Sequence, residues 1–207
     1  GTHKPEVSGS IPLPATKNMN KISSKKIYGV VICYNSENAI KNLYERIDMD
    51  LFDKIYFFDD NSTDNSYEIA RKFDWEVIKN ENNLGHGGNL KKAVKTAFED
   101  GADFVLEIHA DNQYDPNLIS KAKKFIDQDY ALIIGSRFVN KNPHKEEGMP
   151  FIRFISNKLM SFMTGKLLSI KLTEFHTGFK IFGKSFNENV PFENCSNNYL
   201  FSFQIIL

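Results

Sequence analysis

Two short acidic runs follow apolar segments directly in this sequence, Asp59-Asp60-Asn61-Ser62 and His109-Ala110-Asp111-Asn112-Gln113. A carboxylate at a strand end can accept hydrogen bonds from a base or a ribose, while the plainer role of Asp59 and Asp60 would be to cap a following helix. In the second run, alternate residues of an extended segment point the same way, so His109, Asp111 and Gln113 can face one site. A divalent cation between a carboxylate and two phosphate groups would neutralise charge growing on a diphosphate leaving group, and Asp111 is the best first ligand for it. The alternative is a solvated polar loop. Asp115 suits a helix cap better than a ligand.

Two further features could meet phosphate. The run Gly85-His86-Gly87-Gly88 could bring backbone N–H groups close to a phosphate or sugar. It lacks the lysine-serine pair of a Walker loop and the spacing of a dinucleotide fingerprint, and a tight turn is the favoured reading. Arg137 closes the strand-like run Ile133-Ile134-Gly135-Ser136, where its planar fork could hold a phosphate or form an ordinary surface ion pair.

The elements that must position these residues alternate regularly. Apolar runs at Ile27 to Cys33, Ile55 to Phe58, Trp75 to Ile78, Phe104 to Ile108 and Ala131 to Ile134 read as strands. Helical stretches separate the first four: one reaching about Ile47, one opened by Asn65 and Glu68 as a capping pair, and one from about Asn89 to Glu99 stopped at Gly101. A fourth, reaching about Ile126, is capped by Asp115 with Pro116 in its first turn. Such alternation predicts an α/β fold, a mostly parallel doubly wound sheet flanked by helices, whose ligands bind beyond the strand C-termini. Phe151 to Ile170 carries apolar residues at helical spacing together with Arg153, Lys158 and Lys166. An amphipathic helix packed on the core is the expectation, with a surface for a lipid-linked acceptor as the alternative.

The totals narrow the setting. At 207 residues the chain fits one domain, and its 26 basic and 26 acidic residues cancel, so no global field recruits nucleic acid or an anionic membrane. Residues 1–24 carry no periodicity and read as a mobile arm or an expression remnant, leaving 25–207 as the folded domain. Cys33 and Cys195 are too few and too far apart for a disulfide framework or a zinc site. No apolar stretch approaches the roughly 20 residues of a membrane span, which points to a soluble, cytoplasmic chain that could still work at the inner face of a membrane.

Taken in order from about Lys26 onward, these residues resemble the family 2 inverting glycosyltransferases of GT-A fold, in the branch of dolichol-phosphate mannose synthase and bacterial polyprenyl-phosphate sugar transferases. The likeness lies in Tyr34-Asn35-Ser36-Glu37, Asp59-Asp60-Asn61-Ser62-Thr63-Asp64 and Asn83-Leu84-Gly85-His86-Gly87-Gly88. It continues through His109-Ala110-Asp111-Asn112-Gln113-Tyr114-Asp115-Pro116, Gly135-Ser136-Arg137 and Glu174-Phe175-His176-Thr177-Gly178-Phe179-Lys180. The resemblance implies transfer of a hexose from a UDP- or GDP-linked sugar to a polyprenyl phosphate or glycan, with inversion by a single in-line displacement. It further implies that Tyr34, Glu37, Asp60, Asp59 and the Gly85 turn hold the nucleotide, and that His109, Asp111 and Gln113 surround Mg²⁺ or Mn²⁺. Arg137 would contact phosphate, Glu174 would stand near the acceptor as base or organiser, and Arg153 would lie on the acceptor side.

Three departures accompany the likeness. His109 stands where the family's metal motif opens with Asp, which weakens Mg²⁺ and favours softer cations. Glu174 is one methylene longer than the family's Asp, a shift of about 1 Å that matters to positioning. Phe201-Ser202-Phe203-Gln204 replaces an F-D-x-E-like pattern close to the last residue, where the family's closing strand is expected to be cut short. These motivate a second reading, a weakly active or inactive nucleotide-sugar-binding relative. A sugar nucleotidyltransferase is disfavoured because Cys33 to Asn38 contain neither Gly nor Arg.

Overall fold

The computed structural model describes residues 24–139, 143–146, 148–169, 172–175 and 177–206. The expected N-terminal arm therefore lies outside the described residues except for Ser24, as do Ile170 and His176.

The centre is strand β1 (Ile27–Cys33), every residue of which is buried. That is the pattern of a strand covered on both faces, and it explains why its sequence is a continuous apolar run. Strands β2 (Lys54–Asp59), β3 (Glu76–Lys79) and β4 (Phe104–His109) join it in parallel. The sheet has six strands in the order β3-β2-β1-β4-β6-β5, with β5 at Leu132–Ile134 and β6 at Lys180–Gly183. Strand β6 runs antiparallel to both of its neighbours. The sequence pattern thus holds through β4, and the sheet then closes differently. β5 does not pair with β4, because β6, a strand that the alternation does not predict, inserts between them.

Helices cover both faces. On one, α1 (Glu37–Arg46) buries Ile40 and Leu43 against Phe57, Trp75 and Phe104, with the Phe57 and Trp75 rings stacked at 5.5 Å. On the other, α3 (Gly85–Glu99) buries Leu90 and Val94 with Phe182, Phe186 and Phe201. Each buried Phe or Leu of this kind contributes roughly 1.5–3 kcal/mol by leaving water.

Local chemistry differs from expectation in three places. The short helix α2 (Ser66–Ala70) has Asn65 at its cap with no side-chain bond to the helix backbone, and Asp64 Oδ1 accepts from Ser66 N–H instead. Asp115 does cap as expected, accepting from Asn117 N–H, but the segment it opens is a 3-10 turn (Pro116–Ala122) that becomes α-helical only at α4 (Lys123–Ile126). The third correction is the largest. Beyond the short helix α5 (Pro143–Glu146), helix α6 (Phe151–Leu168) does not bury an apolar face: Ile152 is 80% exposed, Phe162 68% and Leu167 84%. The apolar residues of α6 lie around most of its circumference, so no one stripe is available for the core.

The strand exits are shaped by asparagine. Asn35, Asn61 and Asn112, which follow β1, β2 and β4, all adopt the left-handed conformation, with φ of 51°, 60° and 63°. Asn tolerates this region better than other side chains with a Cβ. Each turn folds the chain back over the C-terminal edge of the sheet, which is where the polar motifs sit.

Candidate active site

A cavity of about 570 Å³ opens over the C-terminal ends of β1, β2 and β4. The exits of β1 and β2 contribute Tyr34 and Asp60, that of β4 contributes His109, Asp111 and Gln113, and the start of α3 contributes Gly85 and His86. Thr177, Gly178 and Lys180 enter from the approach to β6, and Tyr199, Ser202 and Phe203 from the last segment.

On the β1–β2 side the loops are laced by side chains. Asn35 N–H donates to Ser62 Oγ, Ser36 N–H to Ser66 Oγ and Glu37 N–H to Asp64 Oδ2. Glu37 Oε2 accepts from both the backbone and the side-chain N–H of Asn65, so Glu37 ties the two loops together and does not line the cavity. Asp60 Oδ1 accepts from Asn80 Nδ2 at 2.9 Å and Leu84 N–H at 2.8 Å, and Asp60 remains on the cavity wall. Asp59 is fully buried below it. One of its oxygens accepts from Ser62 N–H and stands 3.9 Å from Lys79 Nζ, which gives it a loop-holding role.

The glycine turn is the first turn of α3 itself, four residues earlier than the sequence pattern placed the helix start. Gly85 has φ of 77°, and a Cβ on Gly87 would lie 2.5 Å from the Ser196 carbonyl oxygen. Gly85 N–H donates to Asn83 Oδ1 and Gly88 N–H to Asn197 O. Two of the amides that could have cradled a phosphate are thus already used, and the small residues serve close approach of the 196–199 loop.

Arg137 and Glu174 meet each other outside the cavity lining. Glu174 is buried, with Oε2 accepting from Arg137 N–H at 2.9 Å and Oε1 accepting from the Arg137 guanidinium at Nε and Nη2. Both carboxylate oxygens are occupied, an arrangement suited to anchoring the loop after β5 and not to removing a proton. Arg153 lies exposed on α6, away from the cavity lining. Gln204 Oε1 accepts from Ser196 N–H and holds the last loop.

The cavity floor carries a network that motif reading does not reveal. Glu107 is fully buried in the middle of β4, and its Oε2 accepts from Lys180 Nζ at 3.3 Å, itself 1% exposed. The other oxygen, Oε1, stands 3.0 Å from His109 Nε2 and 3.7 Å from His86 Nε2. The contact with His109 is at ion-pair distance, and neither atom has a hydrogen-bond partner elsewhere among the described residues. The rings of His86 and His109 stack at 5.6 Å, and Tyr199 stacks on His86 at 4.6 Å. Burial pushes the Glu107 carboxyl up, but Lys180 and the two imidazoles outweigh it and hold the group below its ordinary range. Burial likewise opposes charge on His109, where the adjacent Glu107 prevails and raises it, whereas burial prevails at His86 and lowers it. The available sequence signal was a charged residue interrupting each of two apolar runs, Glu107 in Val105-Leu106-Glu107-Ile108 and Lys180 in Phe179-Lys180-Ile181-Phe182.

For a divalent cation the chain offers Asp111, His109 and Gln113 at one cavity edge, with Asp111 Oδ1 accepting from Gln113 N–H. No cluster of three or more His, Cys, Asp or Glu side chains converges as a metal cage among the described residues. This donor set fits a cation that arrives with a diphosphate, since such ions are commonly held by one or two protein ligands plus substrate phosphates.

A doubly wound sheet with a polar cavity over its C-terminal edge defines the nucleotide-binding α/β class. The chain belongs to glycosyl transferase family 2, whose family model matches residues 29–190. It is 31% identical over 182 residues to the UDP-N-acetylglucosamine--dolichyl-phosphate N-acetylglucosaminyltransferase of Methanococcus voltae, covering 79% of this chain and 72% of that protein. It is 29% identical over 157 residues to the dolichol-phosphate mannosyltransferase of Pyrococcus furiosus, covering 72% of this chain and 43% of that one. Glucosyl-3-phosphoglycerate synthase of Mycobacterium tuberculosis, solved with Mn²⁺, UDP and glucosyl-3-phosphoglycerate, shares the GT-A fold. Its TM-score is 0.65 at 14% identity over 96% of this chain and 70% of that one.

Proposed function

We propose that the domain at residues 25–207 transfers a hexose from a UDP- or GDP-linked sugar to a polyprenyl phosphate with inversion. The observation that supports this reading is the cavity lined by Asp60 from the exit of β2 and Asp111 from the exit of β4, on either side of β1. The two relatives named above, both acting on dolichyl phosphates by their names, support the acceptor class.

In this reading Tyr34 and Asp60 hold the nucleoside, and Asp111, His109 and Gln113 hold a divalent cation. When bound, that cation supplies Lewis-acid stabilisation of the leaving diphosphate. An acceptor phosphate oxygen attacks the anomeric carbon, the bond from that carbon to the diphosphate breaks, and the nucleoside diphosphate departs with the electron pair. A phosphate acceptor is already anionic, so the chain needs no general base, which agrees with Glu174 being committed to Arg137.

The exposed helix α6 is the surface by which the domain would meet the lipid bilayer. Its sequence carries Arg153, Lys158 and Lys166 and no acid, complementary to anionic head groups, and its exposed Ile152, Phe162 and Leu167 suit the acyl boundary. No helix among the described residues is long and apolar enough to cross a membrane. Co-sedimentation with vesicles containing anionic lipid should fall sharply in Ile152→Glu/Leu167→Glu without change in Tm, and equal binding by that variant would remove α6 from the surface.

The second reading, a relative that binds but does not turn over, is favoured by one observation. The first position of the metal motif is a histidine whose Nε2 is engaged by Glu107. Titration with UDP and GDP, with and without Mn²⁺, followed by a transfer assay separates the two, since tight binding with no transfer from any donor selects the second.

A further inference from the structure

The H-A-D-N-Q run poses a chemical problem: an imidazole at position 109 can hold a cation only through a nitrogen that carries no proton, so its tautomer must be fixed. Two buried polar atoms address it. Glu107 Oε1 and His109 Nε2 have no hydrogen-bond partner elsewhere among the described residues, and they face each other at 3.0 Å. Glu107 is fixed in turn from its other oxygen by Lys180, and the His109 ring is confined by Tyr114 and by Gly178, where a Cβ would come within 2.8 Å of Nε2.

An imidazole has two nitrogens, and the one not committed to a carboxylate is the one left for a ligand. A metal-bound histidine almost always gives its other N–H to a carboxylate or carbonyl, which fixes the tautomer and makes the ring a stronger donor. We propose that Glu107 is a positioning residue that holds His109 as the Nε2–H tautomer, so that His109 offers Nδ1 to the divalent cation that Asp111 and the nucleotide diphosphate also hold. With Lys180 paired to the same carboxylate the cluster is net neutral, so what Glu107 brings is a fixed tautomer and a stronger nitrogen donor. Whichever protonation state the ring has without metal, ligation leaves the proton on Nε2. A nitrogen donor beside Asp111 selects Mn²⁺ over Mg²⁺, because Mg²⁺ demands hard oxygen ligands and releases water reluctantly. Lys180 keeps Glu107 in place as the hydrogen-bond donor to its second oxygen.

This inference rests on the donor site described under the proposed function, and its test separates the two. The first measurement is pulsed EPR of the wild-type chain with Mn²⁺ and UDP, comparing natural-abundance and ¹⁵N-histidine-labelled protein. The expected result is a nitrogen hyperfine coupling whose pattern changes with the label. Mn²⁺ that binds with UDP yet shows no histidine nitrogen overturns the proposal, as does a failure of Mn²⁺ to bind in the presence of UDP. The second is Mn²⁺ affinity, measured with saturating UDP, in Glu107→Gln. Loss of a carboxylate behind a metal-bound histidine costs about 10–100-fold in metal affinity, and that range is expected while metal-free UDP binding stays within about twofold. Unchanged Mn²⁺ affinity in Glu107→Gln overturns the positioning role. A donor site wrongly assigned would show itself separately, as no UDP binding with or without metal.

Discussion

Replacing Lys180 by methionine should destabilise the domain far more than an ordinary substitution of similar volume. Lys180 is 1% exposed, and its Nζ is the hydrogen-bond donor to the fully buried Glu107. Removing one member of a buried ion pair leaves an uncompensated charge and costs about 3–5 kcal/mol. The lower end applies here, because His109 stands 3.0 Å from the other carboxylate oxygen and shares the charge. At about 3 kcal/mol, a domain of this size loses roughly 6–12 °C in Tm. The sign with pH also follows. Glu107 is held below its ordinary range, so its contribution is present above the unfolded-state value and lost as pH falls through the folded one. In Lys180→Met burial dominates and the carboxyl rises, so the stability gap from wild type should be widest near neutral pH and close in acid. Urea unfolding of Lys180→Met, Glu107→Leu and the double variant would measure the coupling. The double variant should recover most of the loss, because no unpaired charge remains. A cost below about 1 kcal/mol for Lys180→Met, or a double variant no better than the worse single one, would refute the reasoning.

Other outcomes follow from the same geometry. Gly87→Ala places a methyl 2.5 Å from the Ser196 carbonyl and 2.6 Å from Phe201 Cβ, and should cost about 1–3 kcal/mol in denaturant unfolding by forcing the last loop off α3. Glu174→Gln should lower stability by about 2 kcal/mol, since charged hydrogen bonds to Arg137 are lost while Arg137 can still reach water. A variant as stable as wild type but without transfer would instead make Glu174 a catalytic group. Asp111→Ala should abolish the gain in UDP affinity that Mn²⁺ provides and leave metal-free binding alone, and calorimetry in both conditions would show whether it does.

The parallel half of the sheet was legible because β1 and β2 are largely apolar runs ended by polar residues, and β4 keeps enough apolar residues around Glu107 to read as a strand. Burial on both faces forces that pattern. β6 was not legible, since Lys180 interrupts its apolar character and only the partner Glu107, 73 residues away, makes a buried lysine tolerable there. Motif order located Tyr34, Asp60, His109, Asp111 and Gln113, which the fold brings to one cavity. It did not separate them from Glu37, Arg137 and Glu174, residues of the same charged types that spend their polar atoms on one another or on loop backbone. A motif records which residue types occur in order, whereas the direction in which a carboxylate points depends on partners distant in sequence. The same limit applied to α6, whose periodicity suggested a core face although nothing in the sequence supplied a surface to cover it.

The central claim is tested most directly by incubating the chain with radiolabelled UDP-N-acetylglucosamine, a polyprenyl phosphate and Mn²⁺, and measuring label that moves into the organic phase, with GDP-mannose in parallel. Time-dependent appearance of label in a lipid that acid hydrolysis converts back to free sugar, lost in Asp111→Ala, is the predicted result. Nucleotide binding by calorimetry with no label transferred from either donor, in Mn²⁺ or Mg²⁺, would contradict it.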